Sequence, residues 1–454
     1  MNGYGHYILT PVPWIEKMPL HWKLERGKNL YQKMQRPTND MDGVVTCFRD
    51  GTVTLRKNRR TTGFTESLKE IGYQGIRKGD LVIHVMDAFA GSIGVSDSDG
   101  KGTPVYSVCQ ARGDSNNQYY ALLLREMART GFIQSLYKGI RERSSDFRFE
   151  IFSAQFYPVP PRPEQDQIVR FLDWKVSSVN KLIDVKQRQI GCLNERLLAV
   201  INDLLTRGVK NNRAYVKTNM DWASEIPLEW EISRVRNHFE ILKRIAGSEG
   251  FDVFSVTQQG LKVRNINLYE GQLAANYSGY QFVYPGEFAM NHMDLLTGGV
   301  GIADHLGVTS PDYRVFRLFD EERCYAAYYL KIFQLCYRRH AFYRFGRGAA
   351  NVGRWRLPAS AFKNFEIPLP PYDEQIEIVR AIEIEEHKIK TVIDCLQQEI
   401  DVLKEFKKRL IADVVTGKID VRGIEIPEYD LVEEDSDGES EENTESMEGE
   451  MDEE

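Results

Sequence analysis

The chain has 454 residues, 42% hydrophobic and 28% charged, enough for two or three domains with substantial cores. Its most apolar stretch, 81–90, is well short of the roughly 20 apolar residues of a membrane span, and the start, Met1-Asn2-Gly3-Tyr4-Gly5-His6, lacks the features of a secretion signal. Fifteen of the 66 acidic residues fall in 428–454, which has no Lys or Arg, so the net charge of −7 hides a body with 51 acids against 59 bases, a balance that permits nucleic-acid binding without establishing it.

Taken in chain order, the elements read as one unit written twice. Trp14, Pro19, Leu20 and Trp22 recur 208 residues on as Trp222, Pro227, Leu228 and Trp230. At an offset of 207, Gly79, Met86, Asp87, Gly91, Gly94 and Asp97 return as Gly286, Met293, Asp294, Gly298, Gly301 and Asp304. The same offset carries Pro104, Tyr106 and Val108 into Pro311, Tyr313 and Val315. Pro160-Pro161, Glu164-Gln165 and Ile168-Val169-Arg170 reappear at 210 as Pro370-Pro371, Glu374-Gln375 and Ile378-Val379-Arg380. Four anchors at nearly one offset mean a tandem duplication. Each copy opens with a globular region of roughly 150 residues. Short β-type runs (80–85, 288–291), Gly-rich turns and helical stretches such as 119–130 are expected there. A long helix follows. Pro163 and Glu164 suit the first turn of one, and Asp373 is a candidate N-cap of the other.

Both helices carry a seam of alternating four and three spacing. In the first it runs Leu172, Val176, Val179, Ile183, Lys186, Ile190, Leu193, Leu197, Val200, Leu204. In the second it runs Ile382, Glu386, Ile389, Ile393, Leu396, Ile400, Leu403, Lys407, Leu410, Val414. Only Lys186, Glu386 and Lys407 are not apolar, and a 3.5-residue period is that of a coiled coil. A duplicated unit closes most readily with two-fold pseudo-symmetry, which makes the pair antiparallel and sends the globular regions to its two ends. The expected fold is therefore α+β: two globular domains separated by two long helices in an antiparallel coiled coil, with an internal pseudo-two-fold. The boundaries are 1–160 and 211–370 for the domains, 161–210 and 371–420 for the helices, and 421–454 for an acidic, disordered tail. Packing of each helix into its neighbouring core is the competing reading.

Several motifs fail as chemistry. Leu369-Pro370-Pro371-Tyr372 looks like an adenine methyltransferase signature, but leucine cannot accept the hydrogen bond that its first position needs. Gly298-Gly299-Val300-Gly301 aligns with Gly91 and Gly94 and reads as a shared turn. The chain has no Walker loop and no nuclease core, and its eight histidines show no ligand-pair spacing. His292 and His305 read as structural or surface, and Asp87 and Asp294 as loop-orienting. No catalytic or metal residue is assigned. Cys47, Cys109, Cys192, Cys324, Cys336 and Cys395 stand singly, which fits a reducing, cytoplasmic setting.

The order domain, long helix, domain, long helix, with Pro-Pro and Glu-Gln opening each helix, resembles the specificity (S) subunits of type I restriction–modification systems from about Trp14 to about Asp420. Gly79-Asp80, Met86-Asp87, Gly91 and the helix ends Asp203-Leu-Leu-Thr206 and Asp413-Val-Val-Thr416 share in the likeness. The resemblance implies a non-catalytic DNA-binding subunit whose two target-recognition domains read the halves of an asymmetric bipartite site. The helices then fix the spacer and dock methyltransferase (M) subunits, two being the family expectation. It places S-adenosylmethionine and adenine-N6 DNA methylation in those M subunits, and ATP and Mg in a restriction (R) subunit. This chain itself holds no cofactor. An unrecognised DNA-modifying enzyme and a coiled-coil protein scaffold remain alternatives.

Candidate DNA contacts lie where the copies diverge. The first carries Arg56, Lys57, Arg59 and Arg60 in one loop and Lys138, Arg141 and Arg143 in another. The second carries Gln258, Gln259, Lys262, Arg264 and Asn265, then Arg344, Arg347, Asn351 and Arg354. Arginine suits guanine and the amides suit adenine, while arginines beside glycines favour phosphates.

Overall fold

In a computed structural model the described residues are 2–59, 71–136, 146–265, 276–348 and 355–432. The chain divides into two units, 1–187 with 397–454 and 188–396, so each long helix contributes one half to each unit.

In the first unit Leu81–His84 lies inside a four-stranded antiparallel sheet of order Tyr31–Lys33, Tyr106–Ala111, Leu81–His84, Ile93–Val95. Its residues alternate between faces, as a strand requires. Leu81 and Ile83 join the main core with Tyr119, Leu123 and Phe171, while Val82 joins a smaller cluster with Val45, Val53 and Val108. With both faces covered, the run reads as continuously apolar rather than alternating. The helix Asn117–Arg129 covers the main face, its start capped by the Asn116 side chain, which accepts from the Gln118 and Tyr119 amides.

The second unit repeats this scheme. Its sheet has the order Phe239–Leu242, Arg314–Leu318, Phe288–Met290, Val300–Ile302. Phe288 and Met290 face a core in which Phe239, Phe316 and Phe333 meet edge to face, and Ala289 turns to a smaller cluster with Phe254 and Val315. Ala326–Arg338 takes the place of the covering helix.

The long helices are Arg162–Arg207, 46 residues, and Tyr372–Val415, 44 residues. At a rise of about 1.5 Å per residue they run for about 69 and 66 Å. Asp373 lies inside the first turn instead of capping it, because Tyr372 is already helical. The first turns are held by the Glu-Gln pair of each copy. Glu164, with 4% of its side chain exposed, accepts from Tyr4 Oη at 2.6 Å and Trp22 Nε1 at 2.9 Å and pairs with His21 at 2.8 Å. Glu374, 1% exposed, pairs with Arg213 at 2.6 Å and accepts from Trp230 Nε1 at 3.2 Å. Gln165 donates to Pro160 O and accepts from the Asn116 amide; Gln375 donates to Pro370 O and accepts from the Tyr325 amide. Each pair thereby ties the helix to the recurring Trp and to the start of the covering helix.

Within the first unit the helix halves run antiparallel. Leu172 packs in the core with Leu410 and Val414, Asn180 Oδ1 accepts from Lys407 Nζ at 3.2 Å, and Lys186 pairs with Glu399. In the second unit Leu197, Ile201, Leu204 and Leu205 join Ile378, Val379 and Ile382 in one core. The three polar seam positions are each partnered. Lys186 and Lys407 reach the other helix as above, and Glu386 pairs with Lys331 of the covering helix at 2.7 Å. The remaining seam positions, from Val176, Val179, Ile183, Ile190, Leu193 and Val200 to Ile389, Ile393, Leu396, Ile400 and Leu403, are buried or half-buried throughout. Helix ends serve the domain cores and helix middles serve each other, so the two packing modes coexist. The fold is α+β, two globular parts joined by an antiparallel helix pair.

The first residues of the segment expected from 421 as a disordered tail are docked. Val421 is fully buried, Gln167 Nε2 donates to Val421 O and Ile424 O, and Val432 N donates to Ser177 Oγ at 3.0 Å. Residues 421–432 are thus strapped along the first long helix, because Val421, Ile424 and Ile426 supply apolar side chains before the acidic run starts. The remainder of that segment, 433–454, lies outside the described residues.

Replacing Glu374 with Ala leaves the Trp230 N–H buried without its acceptor and Arg213 with Glu229 as its remaining acidic partner. We expect a loss of about 1–3 kcal/mol, read as a lower denaturation midpoint by tryptophan fluorescence; an unchanged midpoint would mean that this anchor is dispensable.

Candidate nucleic-acid interface

The loops that differ between the copies grow from equivalent strands. Val45–Cys47 pairs with Val53–Leu55 in the first unit, and Phe254–Thr257 with Gly260–Val263 in the second. Val44 and Val253 bridge the equivalent residues Lys101 and Val308, and Arg56 N and Arg264 N donate to the Val44 and Val253 carbonyls. This register corrects the sequence alignment of the loops. Arg56 corresponds to Arg264, while Gln258 and Gln259 occupy the hairpin turn, where the first unit has Arg49, Asp50 and Gly51.

In the first unit Arg56–Asn58 forms one 3-10 turn after its strand. Arg56 Nε donates to Thr46 Oγ1 at 3.2 Å and Lys57 is exposed. Arg59 pairs with Asp50 at 2.7 Å and lies 4.4 Å over the Phe48 ring, so its guanidinium is already engaged within the loop. Arg60, Lys138, Arg141 and Arg143 lie outside the described residues. Nearby, Arg49 pairs with Asp87 at 3.2 Å, and the Phe147 amide donates to Val85 O, docking the residues after 137–145 beside the same turn. Gly91 has φ +95°, and a Cβ there would meet Arg49 O at 3.0 Å, which explains the glycine.

In the second unit Gln258 Nε2 contacts Thr297 O at 3.5 Å, and Lys262 Nζ donates to Gln259 Oε1 at 2.6 Å. Asp294 Oδ1 accepts from the Leu296 and Thr297 amides at 2.9 and 3.0 Å, the loop-orienting role expected of it. Asn291 N reaches Gly299 O, Leu357 N reaches His292 O, and Arg347 and Arg356 exchange backbone hydrogen bonds. This string of contacts joins the amide turn to the arginine loop, two segments that sequence alone kept apart. Arg344 pairs with Asp221 and lies 5.0 Å from the Phe345 ring. Arg347 is exposed, Arg264 half-buried and Asn265 exposed. Asn351 and Arg354 fall outside the described residues.

Sequence reasoning missed Arg49, Arg314 and Arg356. Arg314 is the most unusual: 5% exposed, it donates to Leu357 O at 2.8 Å and lies 5.1 Å from the Phe362 ring. Burial pulls its guanidinium down to about 10. A strand position whose counterpart is Ser107 gave no signal for it. Burial, reinforced by Arg314 and Arg356, also pulls His292 down to about 4. The patch is therefore cationic without help from His292, and offers guanidinium and amide donors suited to phosphates and base edges. Among the described residues no helix is long and apolar enough to cross a membrane.

No family model matches the chain. It is 23% identical over 323 residues to the type I restriction enzyme MjaVIII specificity subunit of Methanocaldococcus jannaschii, covering 67% of this chain and 70% of that protein. It is 24% identical over 320 residues to the putative MjaX specificity subunit of the same organism, covering 67% and 68%. Its fold matches a chain in a solved structure of a type I restriction–modification system, with TM-score 0.65, 13% identity, and coverage of 88% of this chain and 99% of the other.

Since His292 is neutral in the folded chain until about pH 4 but takes up a proton near 6.5 when unfolded, its contribution is present above about pH 6.5 and is lost as pH falls towards 4. We expect His292→Gln to flatten the stability–pH curve over that window in denaturation experiments; an unaltered curve contradicts the assignment.

Proposed function

We propose a function from one premise, that the chain is a specificity subunit of the type I restriction–modification family: it selects the DNA target of a modification complex and performs no chemistry itself. Each globular domain reads one half of a bipartite site, and the paired helices hold the unread gap between the halves. The observation that carries this reading is that the two units agree strand for strand while their exposed loops present different groups. Arg and Lys dominate one, and Gln, Asn and Arg the other. A shared scaffold with unlike loops makes an asymmetric site. The spacing of half-sites follows from whatever holds the two readers apart.

The partners are double-stranded DNA, two methyltransferase subunits that bring S-adenosylmethionine and modify adenine N6, and, where present, a restriction subunit using ATP and Mg. The basic body supports phosphate contacts. The helix middles expose Leu182, Val185, Val392 and Val402, apolar side chains available to partner subunits.

Co-expression with the cognate methyltransferase, followed by genome-wide mapping of methylated adenines, tests the reading. We expect one two-part, asymmetric motif of fixed gap. Methylation by the purified chain alone would favour an enzyme, and no salt-dependent DNA affinity even with partners would favour a protein scaffold. Gln258→Ala with Gln259→Ala is expected to relax one half of the motif by about 1–3 kcal/mol per contacted base, leaving the other half intact. A Lys262→Ala change is expected instead to weaken all sequences alike and lower the salt slope by about 1.

A further inference from the structure

In the second unit the fold gathers His238, Asp320 and Cys324, whose ligand atoms all lie within 4.8 Å of one another. The geometry points to a binding site for a borderline-soft divalent transition metal, zinc in the first instance, with His238 Nδ1, an Asp320 carboxylate oxygen and Cys324 Sγ as ligands. Nothing in the proposed DNA-reading role calls for it.

The donor set is one nitrogen, one oxygen and one sulfur, the mixture zinc accepts. His238 Nδ1 faces Asp320 Oδ2 at 2.7 Å, and its other ring nitrogen meets Ser233 Oγ at 2.8 Å. Ser233 fixes the ring from behind, as the outer partner of a metal-bound histidine does. Tetrahedral zinc, with bonds of about 2.0–2.3 Å, sets its ligand atoms roughly 3.3–3.6 Å apart. The His238–Asp320 contact therefore opens by roughly 0.6 Å on binding, a side-chain adjustment. The His238 side chain is 3% exposed and Cys324 1%, whereas Asp320 is 23% exposed, leaving a path for the ion and for a water as fourth ligand. Cys324 loses its thiol proton to solvent as the thiolate binds.

The duplication supplies the control. The strand pairings and the two equivalent glutamine contacts put Glu25, Leu30 and Ser115 at the places of Ser233, His238 and Cys324. The same scaffold folds in the first unit without a histidine or cysteine there, so the group is an addition to the fold, not a condition of it. Its position gives the ion a task. Gln375, in the first turn of the second long helix, donates to Arg323 O and accepts from the Tyr325 amide, on either side of Cys324. A metal here clips the segment that seats the helix.

The full chain, co-purified with its partner subunits and stripped with a chelator, is to be titrated with zinc and with cobalt. We expect about one equivalent bound per chain, a thiolate-to-cobalt charge-transfer band, and a higher thermal midpoint with zinc. Cys324→Ser abolishes the band. His238→Leu, which installs the residue the first unit carries, folds but lowers affinity at least about tenfold, and Ser233→Ala weakens binding by about 10–100-fold. Failure of the wild-type chain to take up either metal at micromolar excess overturns the proposal, as does a cobalt spectrum unchanged in Cys324→Ser. Either outcome leaves the DNA-targeting reading standing, because none of the three substituted residues lies in the interface loops.

Discussion

A buried carboxylate at the head of each long helix is the constraint on which the rest of this architecture depends. Glu164 and Glu374 sit almost wholly out of water, and a buried carboxylate is tolerable only when its oxygens are filled by donors. Tyr4, His21 and Trp22 fill them in one copy, Arg213 and Trp230 in the other. The donors differ, yet the tryptophan is common to both. The glutamine that follows bonds the chain on both sides of it, to the preceding proline carbonyl and to the amide that opens the covering helix. A helix some 45 residues long could swing at its base; these contacts remove that freedom and make its direction a property of the domain.

Given that fixed direction, duplication does the remaining work. Each domain core is completed by the start of one long helix and the end of the other: Phe171 and Val414 lie in one core, Ile382 and Leu205 in the second. Neither domain buries its apolar face without both helices, so the seam and the domains stabilise each other. Specialisation is then confined to places the scaffold does not use. The hairpin turn holding Gln258 and Gln259, the arginine loop around Arg347 and the His238 group all differ from their counterparts without disturbing a strand pairing.

Much of this was legible in the sequence because the copies check each other. The glycine, proline and Glu-Gln anchors gave the repeat, and the four-and-three spacing gave the seam. Even its polar interruptions were informative, since Glu386 faces Lys331 of the domain rather than the other helix. Other features were hidden for physical reasons. The engagement of Arg59 by Asp50 and Phe48 depends on a tight turn that a charge count cannot show. Residues 421–432 look like the start of a polar tail, yet three apolar side chains suffice to dock them. The His238 group spans 82 residues to Asp320, a separation at which no ligand motif is recognisable. Loop correspondence was misjudged because loops keep no periodicity, and only strand register fixed it.

The proposed function has the paired long helices set the distance between two unlike readers. Its most direct test is a matched deletion of one heptad from the middle of each long helix, with the methylated motif mapped before and after. A heptad shortens a helix by about 10 Å, close to three base pairs of duplex. The account predicts both half-sites unchanged and the gap between them shorter by about three base pairs. An active complex whose gap stays the same, or whose half-sites change instead, would contradict it.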